Sequence, residues 1–141
     1  MSIHLKFTTQ IQRPVEVVCA AITDLPSMPE WFSVKEVRNI SDDPVQVGTR
    51  FQVLTEFAGS ERVLDYQVTD YEPCKLFAYH SDGMTPTTVR ITLKPDGDGT
   101  FLTYEFSLKV PGLIAHAIKG PLRKQTIDDL ARLATKLGAM E

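Results

Sequence analysis

Ile3, Leu5, Phe7, Thr9 and Ile11 alternate with Ser2, His4, Lys6, Thr8, Gln10 and Gln12 at the start of the chain. Successive strand side chains point to opposite faces, so this spacing predicts a half-buried strand. Pro14 stands where a first helical residue belongs, with Glu16 behind it to favour a helix N-terminus. Val18, Ala21, Ile22 and Leu25 then recur at i, i+3, i+4 and i+7, the apolar face of a helix. The prolines of Leu25-Pro26-Ser27-Met28-Pro29-Glu30-Trp31 interrupt that helix and predict a second, short one.

From Val34 to Val110 the chain changes to short runs rich in β-branched and aromatic residues. They predict strands at Val34–Ser41, Thr49–Phe57, Arg62–Tyr71, Leu76–Ser81, Thr87–Lys94 and Phe101–Val110. The breaks are Pro44 to Gly48, Ala58-Gly59-Ser60, Glu72-Pro73, Asp82-Gly83 and Pro95-Asp96-Gly97-Asp98-Gly99, short enough for antiparallel hairpins. After Pro111-Gly112 comes a long helix. Ile127, Leu130, Ala131, Ala134 and Leu137 form its apolar stripe, Asp128 pairs with Arg132 one turn on, and Gly120-Pro121 predicts a kink.

An antiparallel sheet can leave one face wet, but the other must be covered. Seven strands present more apolar surface than one helix stripe covers on a flat sheet. The expected architecture is therefore α+β, a seven-stranded antiparallel sheet curved around the C-terminal helix, with the two short helices between strands 1 and 2 closing one end. Small residues populate the long helix (Ala115, Ala117, Gly120, Ala131, Ala134, Gly138, Ala139); facing a concave sheet they predict room for an internal cavity, with tight packing by neighbouring aromatics as the competing outcome.

At 141 residues the whole chain, 1–141, reads as one domain. Its net charge of -3 argues against a nucleic-acid partner, which calls for a basic surface. The densest apolar run, Val17 to Ile22, is too short to span a bilayer, and the alternating start is not a secretory signal. Integral membrane association is thus not expected, and a cytoplasmic location is. Cys19 and Cys74 stand far apart in sequence and read as apolar thiols, with a disulfide left open.

The segment Ile11 to Trp31, with Ile-x-x-Pro-x-x-x-Val, Asp24, Pro29 and Trp31, resembles the start of a START-like (SRPBCC) domain of the polyketide cyclase/dehydrase type. Val47-Gly48-Thr49, Val68-x-x-Tyr71-x-Pro73 with Leu76, and Gly99-Thr100-x-Leu102-Thr103 extend the resemblance over nearly the whole chain. Arg13 departs from the small residue usual before that proline. The resemblance implies a helix-grip fold and a hydrophobic ligand pocket. It implies no fixed chemistry, because such domains bind lipids, sterols, isoprenoids and aromatic polyketides, and only some are enzymes.

No nucleophile elbow, phosphate loop or ligand-spaced histidine pair is present, so no metal or cofactor is expected. Asp96-Gly97-Asp98-Gly99-Thr100 looks like a calcium loop, but Ser107 stands where an EF-hand needs its glutamate, and Asp-Gly pairs are ordinary hairpin turns. His4 falls on the polar side of its strand. The basic group His116, Lys119, Arg123 and Lys124 reads as a solvated helix face. Strand parity instead assigns the pocket to Arg62, Leu64, Tyr66 and Val68, to His80 beside Leu76 and Ala78, and to Leu102, Tyr104 and Phe106, with Ala117 on the helix.

The leading expectation is a protein that binds a hydrophobic or aromatic small molecule, lipid, isoprenoid or polyketide-like, in an internal cavity. The alternative is a cyclase or dehydratase that uses cavity groups as general acid and base. A third is an interaction domain that forms a homodimer through the sheet edge or the long helix.

Overall fold

Strands β1 (Ser2–Ile11), β2 (Glu36–Arg38), β3 (Arg50–Phe57), β4 (Ser60–Glu72), β5 (Leu76–Ser81), β6 (Thr87–Asp96) and β7 (Gly99–Lys109) form one sheet in the computed structural model. Helix α1 (Val15–Thr23), a 3-10 helix (Leu25–Glu30) and helix α2 (Gly112–Ala139) complete the chain. Residues 2–57, 59–83 and 85–139 are described. Met1, Met140 and Glu141 at the ends of the expected domain, Ala58 of the Ala58-Gly59-Ser60 break and Met84 lie outside them.

All neighbours pair antiparallel in the order β1-β7-β6-β5-β4-β3-β2. Hairpins carry the chain from β2 to β7, and β1 then closes beside β7. Because β1 and β2 lie on opposite edges, the segment of α1 and the 3-10 helix must cross the sheet between them. The result is the curved sheet around a long C-terminal helix that the helix-grip fold requires.

Two motifs owe their residue types to this frame. At Gly99 a Cβ would sit 2.7 Å from the Ile11 carbonyl oxygen, so only glycine lets β7 start this close to the end of β1. Thr100, fully buried, donates its hydroxyl to the Arg13 carbonyl at 2.8 Å and ties the start of α1 to β7. Gly48 adopts φ +95°, which puts its N–H on the Val68 carbonyl at 2.9 Å, while Thr49 Oγ1 accepts from the Gln46 N–H.

The core falls into two clusters. The larger joins Phe51, Val53, Val68, Phe77, Tyr79, Ile91 and Leu102 of the sheet to Val18, Ile22, Leu25 and Trp31, and to Leu130, Leu133 and Leu137 of α2. The smaller gathers Ile3, Leu5, Val110 and Ala115, flanked by Ile118 and Leu122. The second β strand is shorter than the expected Val34–Ser41, because Asn39 turns the chain through positive φ.

Helix α2 is continuous through Pro121, but its buried stripe differs from the expected one. Leu133 is wholly buried and Asp129 nearly so, while Ile127 is 49% exposed and Ala131 faces solvent. The ion pairs shift in step: Arg132 reaches Asp129 at 3.2 Å, and Asp128 lies 3.9 Å from Lys124. The sequence offers two overlapping stripes one residue apart, and the helix chooses the one that buries Leu133.

This choice is testable by urea unfolding. Leu133→Ala is expected to cost ~2–5 kcal/mol through lost burial and a residual cavity. Ile127→Ala is expected to change stability by less than about 0.5 kcal/mol.

Candidate functional site

A cavity of about 270 Å³ lies between the two core clusters and draws its walls from both. The sheet contributes Val53 and Thr55 of β3, Arg62, Leu64 and Tyr66 of β4, Tyr79 of β5, Thr87 and Val89 of β6, and Tyr104, Phe106 and Leu108 of β7. Helix α2 lays Ile114, Ile118, Leu122, Gln125, Thr126 and Asp129 across the top. Met28 of the 3-10 helix and Phe32, Ser33 and Val34 after it close one end, and Thr85 and Val110 complete the wall.

Each strand supplies every second residue, as the pleat demands. Aromatic rings brace the sheet side of the cavity. Tyr66 stacks on Phe51 with centroids 5.5 Å apart and meets the edge of Tyr79 at 4.9 Å; Tyr104 packs against Phe32 at 5.8 Å. Such pairs contribute ~0.5–1.5 kcal/mol each beyond simple burial. They also fix where the phenol oxygens point.

Burial pushes the hydroxyls of Tyr66, Tyr79 and Tyr104 well above the ordinary phenol range, and no protein hydrogen bond bears on any of them among the described residues. They are neutral groups, able to donate or accept one hydrogen bond to whatever fills the cavity. Arg62 supplies the cationic group of this wall. Its chain neighbour Glu61 is taken by Lys35 at 2.7 Å, and Arg62 itself has no ion-pair partner among the described residues.

Asp129 is the buried carboxylate. One oxygen accepts the Ser33 N–H at 3.0 Å; the other accepts the Ser33 hydroxyl at 2.6 Å and the Arg132 guanidinium at 3.2 Å. Arg132 also donates to the Trp31 carbonyl at 2.8 Å. Both oxygens are thus committed to clasping α2 onto the segment that follows the 3-10 helix. Among the described residues no three His, Cys, Asp or Glu side chains cluster in the manner of metal ligands.

Of the residues expected from parity, Arg62, Leu64, Tyr66, Tyr104 and Phe106 meet at this cavity. Val68 and Leu102 share their inward face but are sealed in the larger core rather than the cavity wall. Ala117 faces solvent, and Ala115 takes the buried place on that turn.

His80 requires a correction. It pairs across β6 with Thr88, accepts or donates to the Thr88 hydroxyl at 2.7 Å, and reaches Asp82 at 2.6 Å on the outer side of the sheet. The alternation Leu76, Ala78, His80 and the alternation Phe77, Tyr79, Ser81 are equally regular, so strand parity alone does not choose between them. Burial of the two larger rings decides, and a register shift between Val68 and Asp70 sets Tyr79 opposite Val68.

Sequence reasoning missed Tyr79 for that reason, and it missed Asp129, Ile118 and Leu122 because the α2 stripe was offset. Cys19 and Cys74 are free thiols. Burial first, then the neighbouring Cys74 thiol, pushes Cys19 up to about 12.

A family model described as polyketide cyclase/dehydrase and lipid transport matches residues 2–138. No curated protein matches the sequence significantly. Among solved structures the Zhui aromatase/cyclase from Streptomyces sp. R1128 superposes with a TM-score of 0.78 at 13% identity, covering 97% of this chain and 94% of that one. A START superfamily protein from Mycobacterium smegmatis gives 0.76 at 16% identity over 95% and 98%. A protein from Mesorhizobium loti gives 0.74 at 24% identity over 99% of each chain. At these identities the structures share the fold.

The clasp is open to direct measurement. Asp129→Ala leaves the Ser33 N–H and hydroxyl without their acceptor and takes one of two acceptors from Arg132; it is expected to lower unfolding stability by about 1.5–3 kcal/mol, the range for hydrogen bonds to a charged group. Asp129→Asn keeps one acceptor oxygen and is expected to lose roughly half as much. His80→Gln, on the outer face, is expected to stay within about 0.5 kcal/mol of the parent.

Proposed function

We propose that this chain, which belongs to the polyketide cyclase/dehydrase and lipid transport family, binds a compact hydrophobic or aromatic molecule between the sheet and α2. The supporting observation is the cavity wall itself: aliphatic and aromatic surface interrupted by three phenol hydroxyls without protein partners among the described residues. Affinity then comes from apolar burial at ~25 cal/mol per Å² before binding costs, while the phenols orient polar atoms of the ligand. A volume of about 270 Å³ lies near the lower end of the ~300–1,000 Å³ of small-molecule sites. That size favours an isoprenoid segment, a short acyl chain or a small polyketide-like ring system over a two-chain lipid. Arg62 at the β4 wall suits a carbonyl or anionic end of such a molecule.

A second reading, a cyclase or dehydratase, draws support from Asp129, a carboxylate on the cavity wall. A general base needs a free lone pair directed at the substrate. Ser33 and Arg132 take up three of the roughly four acceptor sites of Asp129, and His80, the imidazole expected from strand parity, lies on the other face of the sheet. Binding is therefore the better-supported function.

Native mass spectrometry of protein purified from its own host is expected to show a co-purifying hydrophobic molecule. Phe106→Asp puts an unpaired charge on the wall and is expected to abolish uptake of a hydrophobic dye; uptake equal to the parent's would overturn the reading. With the co-purified molecule in hand, Tyr66→Phe and Tyr104→Phe are each expected to weaken binding by about tenfold at most, since one hydrogen bond contributes ~0.5–1.5 kcal/mol. Catalytic turnover of that molecule, lost in Asp129→Asn while affinity is kept, would instead favour the enzyme.

A further inference from the structure

The first half of α2 carries an arrangement that the ligand-binding reading leaves unused. Its inner side holds Ile118 and Leu122 on the cavity. Its outer side is also apolar. Leu113 is 91% exposed and Ile114 is 48% exposed, and Ala117 and Pro121 lie open beside them. Hydration of so bare a leucine is unfavourable, and no described residue covers it. Exposed His116, Lys119, Arg123 and Lys124 flank this strip.

The charge pattern is one-sided. Between Ser107 and Ile127 the chain has Lys109, Lys119, Arg123 and Lys124 and no Asp or Glu, in a protein whose net charge is -3. Strand β1, against which α2 packs, has no acidic residue either. Lys124 lies 3.9 Å from Asp128, and Arg123 covers the Phe7 ring at 5.7 Å; Lys119 has no ion-pair partner among the described residues. The sequence alone reads these cations as a solvated face because no apolar excess is apparent beside them. The exposure of Leu113 and Ile114 supplies that excess.

Ile114 joins the two features. It lines the cavity and is half-exposed, so the cavity reaches the surface beside the apolar strip.

The geometry points to a peripheral docking patch for an anionic lipid surface, formed by Leu113, Ile114 and Ala117 with Lys119, Arg123 and Lys124, which sets the cavity mouth against the bilayer. The inference rests on the cavity being a hydrophobic-ligand site and names the place from which the ligand is taken. A helix with an apolar strip and basic flanks lies in the lipid interface with its apolar side chains buried and its cations near the headgroups. Among the described residues no helix is long and apolar enough to cross a membrane.

The test is co-sedimentation with vesicles of phosphatidylcholine alone and of phosphatidylcholine with phosphatidylglycerol, the latter at low and high salt. Binding is expected only with phosphatidylglycerol and is expected to fall as salt rises. Leu113→Glu is expected to weaken vesicle binding at least tenfold, and Lys119→Glu by about fivefold or more. Neither side chain lines the cavity, so both variants are expected to take up the hydrophobic dye like the parent. That control separates failure of the patch from failure of the cavity. Absence of binding by the parent protein overturns the inference, as does binding by both variants equal to the parent's. Sedimentation equilibrium showing a dimer that Leu113→Glu dissolves would also overturn it, assigning the strip to a second copy of the chain.

Discussion

Helix α2 is held at one rotation about its axis by two different forces acting on the same stretch. Leu130, Leu133 and Leu137 drop into the concave face of the sheet, a non-directional attraction that would tolerate a small roll. Asp129 removes that tolerance. Its oxygens receive the backbone and hydroxyl of Ser33, and Arg132 spans from Asp129 to the Trp31 carbonyl. A carboxylate this buried must find such partners, and these partners exist only in one orientation. Once the second half of α2 is fixed, the positions of Gln125, Leu122 and Ile118 follow from helical geometry, and so does the roof of the cavity.

The same clasp explains why the chain invests in the crossing segment. Trp31 to Ser33 reach α2 only because the 3-10 helix brings them across from the far side of α1. Pro26 stands in its first turn, where no backbone donor is needed, and Pro29 lies inside a tight helix that has few internal hydrogen bonds to lose. The crossing thereby acts as a brace between the two ends of the sheet order and the helix.

The succession of elements, the hairpins and the long terminal helix were legible in the sequence because turn residues and period-two alternation are local signals; the pairing of β1 with β7, a contact between the two ends of the chain, was not. Parity was legible wherever only one alternation was apolar: Arg62-Leu64-Tyr66 has Leu64 and Tyr66 to mark its face, and Leu102-Tyr104-Phe106 marks its own. It failed in β5, where Leu76-Phe77-Ala78-Tyr79 offers apolar groups on both sides and the shift near Thr69 is set by pairing with β4. It failed on α2 because Ile127, Leu130, Ala131 and Leu133 fit two stripes. The deciding partner, Ser33, lies 96 residues away from Asp129. Periodicity in one element cannot report a contact that another element makes. The resemblance to START-like domains supplied the overall frame and the cavity, and the motif residues that carried it, Gly99 and Thr100 among them, turn out to hold β1, β7 and α1 together rather than to line the pocket.

The core of this protein is divided, with a gap of about 270 Å³ where a continuous one would have side chains. The front of α2 rests on the smaller cluster alone, so in the empty molecule it is the part with least packing to lose by opening. A molecule that fills the gap supplies the missing contacts and joins both clusters into one cooperative unit. Occupancy then adds RT ln(1 + [L]/Kd) to the unfolding free energy, ~2.7 kcal/mol at a ligand concentration a hundred times Kd. Under the proposed binding function, the melting temperature becomes a gauge of how full the cavity is. On the ligand-binding function proposed above, the amount of protein in a cell that clears unfolded chains would rise and fall with the supply of its ligand.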